Sequence, residues 1–411
     1  MKRIIFIIFY FTGIWSIYGQ NNKFYFAQDS AILSFNIDSN KSYIEYKIPK
    51  IFKPQSISDI KYNNGTFVWP IENKKKLIVY KNELIKTANS NDSEICIIDL
   101  PINYTSDYPS IYGSNVNPDT IPKSINYFDD FFISPDGNSI IWSSDCNLTY
   151  TLDSCKKKFQ IYKYDLSKQK TEKIFEEKYK FGGLGYSNFE YRKLIHYSDS
   201  GYIYFNTLQQ GQLNSKEINL VKYNINNKKK SFVSSKIEKV LLIDDLNKKI
   251  IYTNDDQSCC GGLNYTNNLI FDYNYITNKT TEIFNEQETY KNHKSYMPVP
   301  IDETIKDYIP EKVNISENND VVGFSLLGIK DDNHFVWLTT IKSLSGKIKT
   351  TGFENKIIIN WIHESDVLLG SLPDNNYNFK INEHVFIFNL KEKKLRELPL
   401  KNVFILGTCK F

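Results

Sequence analysis

The stretch DDQSCCGGLNYTN, residues 255–267, holds the densest reactive chemistry in the chain: adjacent thiols at Cys259 and Cys260, followed by Gly261 and Gly262. Neighbouring cysteines cannot both ligate a structural tetrahedral zinc in the usual separated-pair arrangement, and no CxxC pair or histidine stands nearby. In an oxidising compartment a vicinal disulfide would close a small strained ring whose exit the two glycines tolerate. Pairing with other cysteines, or free thiols, are the remaining fates of this pair. Cys146 and Cys155 flank NLTYTLDS and would staple one loop, a closure worth about 2–3 kcal/mol where it is unstrained. Cys96 falls in an apolar strand pattern, with Cys409 as its conceivable partner. None of the six cysteines has the setting of a catalytic nucleophile.

Other candidate chemistry is sparse. His196, His293, His334, His363 and His384 are scattered without metal-ligand spacing, so the sequence names no metal site. The acidic pairs Asp129–Asp130, Asp244–Asp245, Asp255–Asp256 and Asp331–Asp332 sit outside any oxygen-ligand loop of the calcium type and read as surface turns. Glu364 and Asp366, in WIHESD, are the carboxylates a glycosidase would have to set against a further acid. There is no GxSxG elbow, no nucleotide-binding glycine loop and no appended α/β domain pattern. The residues therefore define no catalytic set and no cofactor site. Asn-X-Ser/Thr triplets such as 147–149 and 264–266 are expected by chance in so Asn-rich a chain.

Elements must position whatever function remains. The chain has 411 residues, 41% hydrophobic and 24% charged, and an aromatic share of 15% that leans towards β structure. It opens MKRIIFIIFYFTGIWSIYGQ, where Lys2 and Arg3 precede an apolar run from Ile4 to Ile14 and the small Gly19 precedes Gln20. That is the layout of a secretory signal peptide over residues 1–19, with a retained anchor as the alternative. The expected mature chain, 20–411, is a single domain, secreted or periplasmic, with no transmembrane span after signal removal. Losing Lys2 and Arg3 leaves 49 basic against 47 acidic residues, which supplies no electrostatic reason for a nucleic-acid partner.

Apolar strands ending near an Asp or Asn recur along the chain: AILSFNI at 31–37, EICIIDL at 94–100, QIYKYDL at 160–166, NLVKYNI at 219–225, LIFDYNY at 269–275 and HVFIFNL at 384–390. The aligned residues, Asn36, Asp99, Asp165, Asn224, Asn274 and Asn389, are 63, 66, 59, 50 and 115 positions apart. The last interval spans two periods, and HFVWLTTIKSLSGKIKT at 334–350 fills it. Short polar turns such as SKQK, NNKKK and KEKK follow most copies, and hairpins such as FFISPDGNSIIWSS and TFVWPIENKKKLIVY precede them. Strand, turn, strand, loop, strand, turn, strand is a four-stranded antiparallel unit that cannot bury its faces alone, whereas radial packing covers both.

The SPDG turn at Ser134–Gly137, with a partial match in YSDSG at 197–201, resembles the WD40-like propeller family typified by the periplasmic TolB repeats. The resemblance implies a propeller and frequently a binding role, without supplying a catalytic residue. The expected architecture is an all-β, seven-bladed propeller of four-stranded blades. The N-terminal unit has three strands, and NVFILG at 402–407 would supply its innermost strand and close the ring.

In such a unit the first and last turns share one end, and the remaining connections share the other. The long connections 101–126, 143–159, 176–190, 207–218, 255–268, 285–312 and 371–383 fall in the second class. Tyr104, Tyr108, Tyr112, Tyr179, Tyr186, Tyr265, Tyr290, Tyr296 and Tyr377 lie on them, together with Phe181 and Phe379, and offer apolar contact plus a hydroxyl, which suits a protein or envelope glycan. The reading is a non-enzymatic binding propeller. A glycan hydrolase or lyase with a site over the central channel is the alternative, and attachment of the Lys-rich turns to an anionic surface is a third reading.

Overall fold

The structure, a computed structural model, describes residues 23–72, 75–81, 95–100, 126–150, 154–182, 189–198, 201–210, 216–234, 237–244, 248–254, 269–277, 279–285, 305–316, 321–330, 335–343, 351–363, 365–371 and 381–408. Residues 1–19, read above as a signal peptide, lie outside them. In chain order the strands are β1 (Lys23–Gln28), β2 (Ala31–Asn36), β3 (Lys41–Lys47), β4 (Lys61–Asn63), β5 (Thr66–Ile71), β6 (Lys76–Lys81), β7 (Ile95–Asp99), β8 (Asn126–Ile133), β9 (Ser139–Tyr150), β10 (Ser154–Asp165), β11 (Lys170–Gly182), β12 (Phe189–Tyr197), β13 (Tyr202–Gln210) and β14 (Lys216–Asn224). There follow β15 (Lys229–Ser234), β16 (Ile237–Asp244), β17 (Lys249–Asn254), β18 (Leu269–Asn274), β19 (Lys279–Asn285), β20 (Ile305–Ile315), β21 (Val321–Lys330), β22 (Phe335–Ser343), β23 (Thr351–Glu354), β24 (Ile357–His363), β25 (Asp366–Ser371), β26 (Asn382–Asn389) and β27 (Lys394–Thr408). Short 3-10 turns occupy Lys50–Phe52 and Ile57–Asp59.

Five sheets, β4–β7, β8–β11, β12–β15, β16–β19 and β20–β23, have four antiparallel strands in sequential order. The sixth has seven, in the order β24-β25-β26-β27-β1-β2-β3. These up-and-down sheets are the blades of a β-propeller fold, but seven separate four-stranded blades are not what forms. The reason is β27. It pairs with β26 from Asn389↔Lys394 to Asn382↔Val403, then with β1 from Ala27↔Phe404 to Phe24↔Thr408. Around Pro399, whose nitrogen cannot donate to a ladder, the strand bulges, and Asn402 takes a φ of 53°. The strand bends and changes partner without ending, so the terminal groups fuse into one sheet.

The first four-stranded sheet also departs from the expected register. Lys61 and Asn63 of β4 reach Phe131, Ile133 and Ser134 at the end of β8, so β4 runs beside β8 as the first strand of its own sheet. TFVWPIENKKKLIVY is then the second and third strands, β5 and β6, and EICIIDL is the fourth. Asp99 ends that last strand.

The chain divides into two compact units, residues 61–288 and residues 1–60 with 289–411. In the first unit, Ile140 and Trp142 pack with Val68, Leu77, Val79 and Phe131, whereas Ile141 between them packs with Phe159, Phe175, Leu194 and Phe205. Tyr204 turns to a third layer with Leu220, Ile250, Tyr252 and Tyr273. Strands buried on both faces read as continuous apolar runs, which is why the alternation in the sequence is imperfect. In the second unit, Phe24, Phe26, Phe35, Leu368, Val385 and Val403 form one layer, and Val321, Ile341, Ile358, Val367 and Leu369 form another.

The repeated Asp/Asn has a local cause. Oδ1 of Asp165, Asn224, Asn274 and Asn389 accepts the backbone N–H groups two and three residues on, at 2.8 to 3.1 Å, and Asn36 accepts that of Ser39. Gln169, Lys228 and Lys393 then close three of these turns at φ 50 to 56°. Disulfides do not reinforce them. The register sets Cys146 opposite Lys158 and Cys155 opposite Tyr150, about 10 Å apart along the strand, beyond the span a disulfide bridges. No disulfide is present among the described residues, and Cys96 is a free thiol 3.4 Å from the Tyr164 hydroxyl. Burial first, and then this thiol, push the Tyr164 phenol up. Cys259, Cys260 and Cys409 lie outside the described residues.

Candidate functional site

The two ends of the sheets are built differently. At the end holding the Asx turns, the first hairpins are also locked. Ser134, Ser198 and Ser316 are buried, and their Oγ atoms accept the N–H of Ser139, Tyr202 and Val321 at 2.8, 3.2 and 3.0 Å. Only Ser134 belongs to the SPDG motif, whose Asp136 also accepts from Asn138 N at 3.0 Å. The partial match at 197–201 marks Ser198 as a second copy, and Ser316 closes its hairpin in the same way without the motif. At the opposite end of the sheets the connection 48–60 is described, whereas 101–125, 183–188, 211–215, 255–268, 286–304 and 372–380 lie outside the described residues. Tyr104, Tyr108, Tyr112, Tyr186, Tyr265, Tyr290, Tyr296, Tyr377 and Phe379 lie there, with Cys259 and Cys260. Tyr179 and Phe181 lie on β11, opposite Lys157 and Cys155 of β10.

Near that end, the packing layer between sheets β8–β11 and β12–β15 changes from apolar to polar. Leu194, Phe205 and Val221 fill one row, and the next row along the strands is Arg192, Thr207 and Asn219. Arg192 is nearly buried, with Nε 3.4 Å from Glu177 Oε2, and Lys230 Nζ lies 2.6 Å from Glu177 Oε1. One carboxylate therefore neutralises two cations. Ser143, fully buried, and Asn219 each hold a side-chain oxygen without a hydrogen-bond partner on this margin. On the first strands, Lys61 Nζ sits 2.6 Å from Asp130 Oδ1, donates to the Phe131 carbonyl and lies 4.6 and 4.7 Å from the Phe131 and Phe132 ring centres.

In the other unit, Ser325 and Thr339 stitch β21 and β22 to β24. Their oxygens are 3.0 Å apart, Ser325 Oγ accepts Ile358 N at 2.7 Å, and Thr339 Oγ1 donates to the Lys356 carbonyl at 2.6 Å. Lys312 of β20 occupies the same row, opposite Ser325, beside a bulge. Burial pushes its amine down to about 8. Composition gave no hint of such a lysine, because the bulge breaks the alternation that would have marked its face.

The remaining candidates are dispersed. His196 meets the Phe132 ring edge-on, and His384 Nδ1 pairs with Glu397 Oε1 at 2.7 Å. Asp366 Oδ1 accepts from Asn389 at 2.7 Å, while Glu364 lies outside the described residues. No group of three His, Cys, Asp or Glu suited to a metal ion occurs among the described residues, and no helix among them is long and apolar enough to cross a membrane.

No family model matches the chain, and no curated protein matches it. Solved structures do. The tricorn protease is similar at 11% identity and a TM-score of 0.35, over 92% of this chain and 38% of that one. A putative dipeptidyl aminopeptidase IV from Bacteroides ovatus is similar at 10% identity and 0.43, over 93% of this chain and 51% of that one. The β-propeller domain of the Trilobed protease from Pyrococcus furiosus is similar at 11% and 0.35, over 84% and 97%. The chain thus spans about two fifths and one half of the first two. At these scores the fold assignment rests on the strand pairing itself, and a β-propeller accommodates ligand binding and catalysis alike.

Proposed function

We propose that this chain is an exported, non-enzymatic binding propeller that recognises a protein or cell-envelope component through the end of its sheets carrying the long connections. The observation that supports this is the contrast between the ends. In four of the six sheets one end is closed by short turns whose backbone groups are internally hydrogen-bonded, while 82–94 and 344–350, which join strands at that end of the other two, lie outside the described residues. The other end carries segments as long as 101–125 and 286–304, and eight of the nine candidate tyrosines fall on connections at that end. Long connections on a rigid frame are where recognition surfaces are built. Arg192 and Glu177 border that end with a charged, ordered margin.

The test replaces residues 255–268 by a Gly-Ser linker and compares affinity capture from the native envelope fraction with that of the intact protein. Loss of one reproducible partner supports the reading; capture of every partner unchanged removes this segment from it. Turnover of an envelope glycan by the purified protein would replace binding with catalysis. Export is checked separately, by whether the mature chain begins at Gln20.

A further inference from the structure

Lys41–Lys53, the edge strand β3 and the start of its connection to β4, forms an exposed margin of the seven-stranded sheet. Tyr43, Ile44 and Ile51 are 51%, 58% and 77% exposed, a concentration of large apolar side chains that no other described segment of this length matches. Lys41, Lys47, Lys50 and Lys53 are exposed around them. The single acid in the segment, Glu45, is bound by Lys23. The margin is also held in place. β3 pairs with β2 at Tyr43↔Ser34 and Ile44↔Leu33. Ile48 is buried and donates its N–H to the Ser30 carbonyl at 2.8 Å, and Phe52 N donates to the Pro49 carbonyl at 2.9 Å.

We propose that this margin docks on an anionic phospholipid bilayer, with Tyr43, Ile44 and Ile51 entering the interface and the four lysines meeting headgroup phosphates. Exposed apolar side chains interleaved with unneutralised lysines are the chemistry of interfacial binding, and a pre-ordered segment loses little conformational freedom on docking. A partner strand added to β3 fits less well. Lysines on an edge oppose strand addition, Pro49 ends the ladder, and Ile51, the most exposed of the three, lies beyond the strand on the 3-10 turn. Tyr43 and Ile44 project to opposite faces of the edge. A fluid interface accommodates both, which a single flat protein surface does not. This surface contains none of the nine candidate tyrosines.

The full chain is sedimented with vesicles of phosphatidylcholine alone and of phosphatidylcholine mixed with phosphatidylglycerol, at low and high salt. Binding is expected only to the anionic vesicles and is expected to weaken with salt. Replacing Lys41, Lys47, Lys50 and Lys53 by Gln should weaken it about fivefold per lysine, and Ile51→Ser alone about tenfold. All these positions are exposed, so urea midpoints should stay with the wild type. Failure of the wild type to sediment with anionic vesicles, equal binding to neutral ones, or unchanged binding by both variants overturns the proposal. So does retention of a soluble protein through these residues without vesicle binding. The salt response of the wild type decides the electrostatic half without any variant.

Discussion

Gly137 and Gly65 adopt the same backbone conformation in different surroundings, and replacing each by Ala separates the cost of a left-handed residue from the cost of a close approach between sheets. Their φ angles are +68° and +73°. A Cβ on Gly137 would lie 2.7 Å from the Asn64 carbonyl and 2.9 Å from Thr66 Oγ1, whereas one on Gly65 meets nothing within 4 Å. Thr66 is fully buried, and its hydroxyl donates to the Gly137 carbonyl at 2.8 Å. Gly65→Ala should cost only the left-handed penalty of about 1–2 kcal/mol, offset by about 0.5 kcal/mol from a less flexible unfolded chain. Gly137→Ala adds displacement of the turn from backbone that cannot yield, with loss of a buried hydrogen bond worth about 1 kcal/mol and a hydroxyl left unsatisfied. A total near 3 kcal/mol follows. Urea unfolding followed by far-ultraviolet circular dichroism measures both, provided the transition slopes agree. Equal destabilisation of the two variants, within about 0.5 kcal/mol, would refute the stitch between the SPDG turn and its neighbour.

Ser325→Ala should cost about 1–3 kcal/mol by orphaning the buried Ile358 N–H, whereas Ser143→Ala, which removes a buried hydroxyl without a partner, should be neutral or stabilising in the same urea assay. The Ser167 hydroxyl, then the Lys168 N–H and ammonium, hold the Asp165 carboxyl down at about 2 against an unfolded value near 3.8. Its contribution is therefore complete above about pH 4 and lost as pH falls towards 2. Asp165→Asn, the residue type that holds the same turn at 224, 274 and 389, should flatten that acid limb in a pH series of thermal melts with little change at neutral pH. At Lys312 it is the charged form that folding disfavours, so the group costs stability at neutral pH. Its folded amine releases the proton near 8 while the unfolded chain keeps it to about 10.5, so the unfolded state binds more protons between them and stability should rise with pH across that window. Lys312→Met should raise the urea midpoint at neutral pH and abolish that rise; a midpoint that is lower at neutral pH would show a charge satisfied in the folded protein.

Turn chemistry was legible where it is local. Ser134–Gly137 and the Asp/Asn positions 165, 224, 274 and 389 mark hairpins because each side chain satisfies its own turn. The same cue misled at Asp99, which ends an equally apolar strand. The difference was present in the residues that follow. LSKQK, INNKK and LKEKK reach a left-handed residue and then a lysine-rich strand, but LPINY places Pro101 where the turn would have to continue. Inner strands were harder to place for a different reason. Bulges between Phe128 and Phe131, Leu194 and His196, Pro310 and Lys312, and Ile358 and Asn360 shift the faces of their strands, so no period of two runs through them.

Cys146 and Cys155 show the corresponding limit for loops. Their staple assumed that 143–159 was a connection, but β9 continues to Tyr150 and β10 begins at Ser154, leaving the two thiols at different levels of one ladder. A contact between residues on adjacent strands depends on register, and register depends on a bulge that neither cysteine announces. Of the tyrosines proposed for recognition, Tyr179 stands in the β10–β11 ladder and the other eight lie outside the described residues. Where backbone hydrogen bonding dictates the residue, as at Ser134, Ser198 and Ser316, the sequence reports architecture. Recognition is commonly carried by long connections on a rigid scaffold, so substitution in them rather than in the sheets is what tests the proposed binding role.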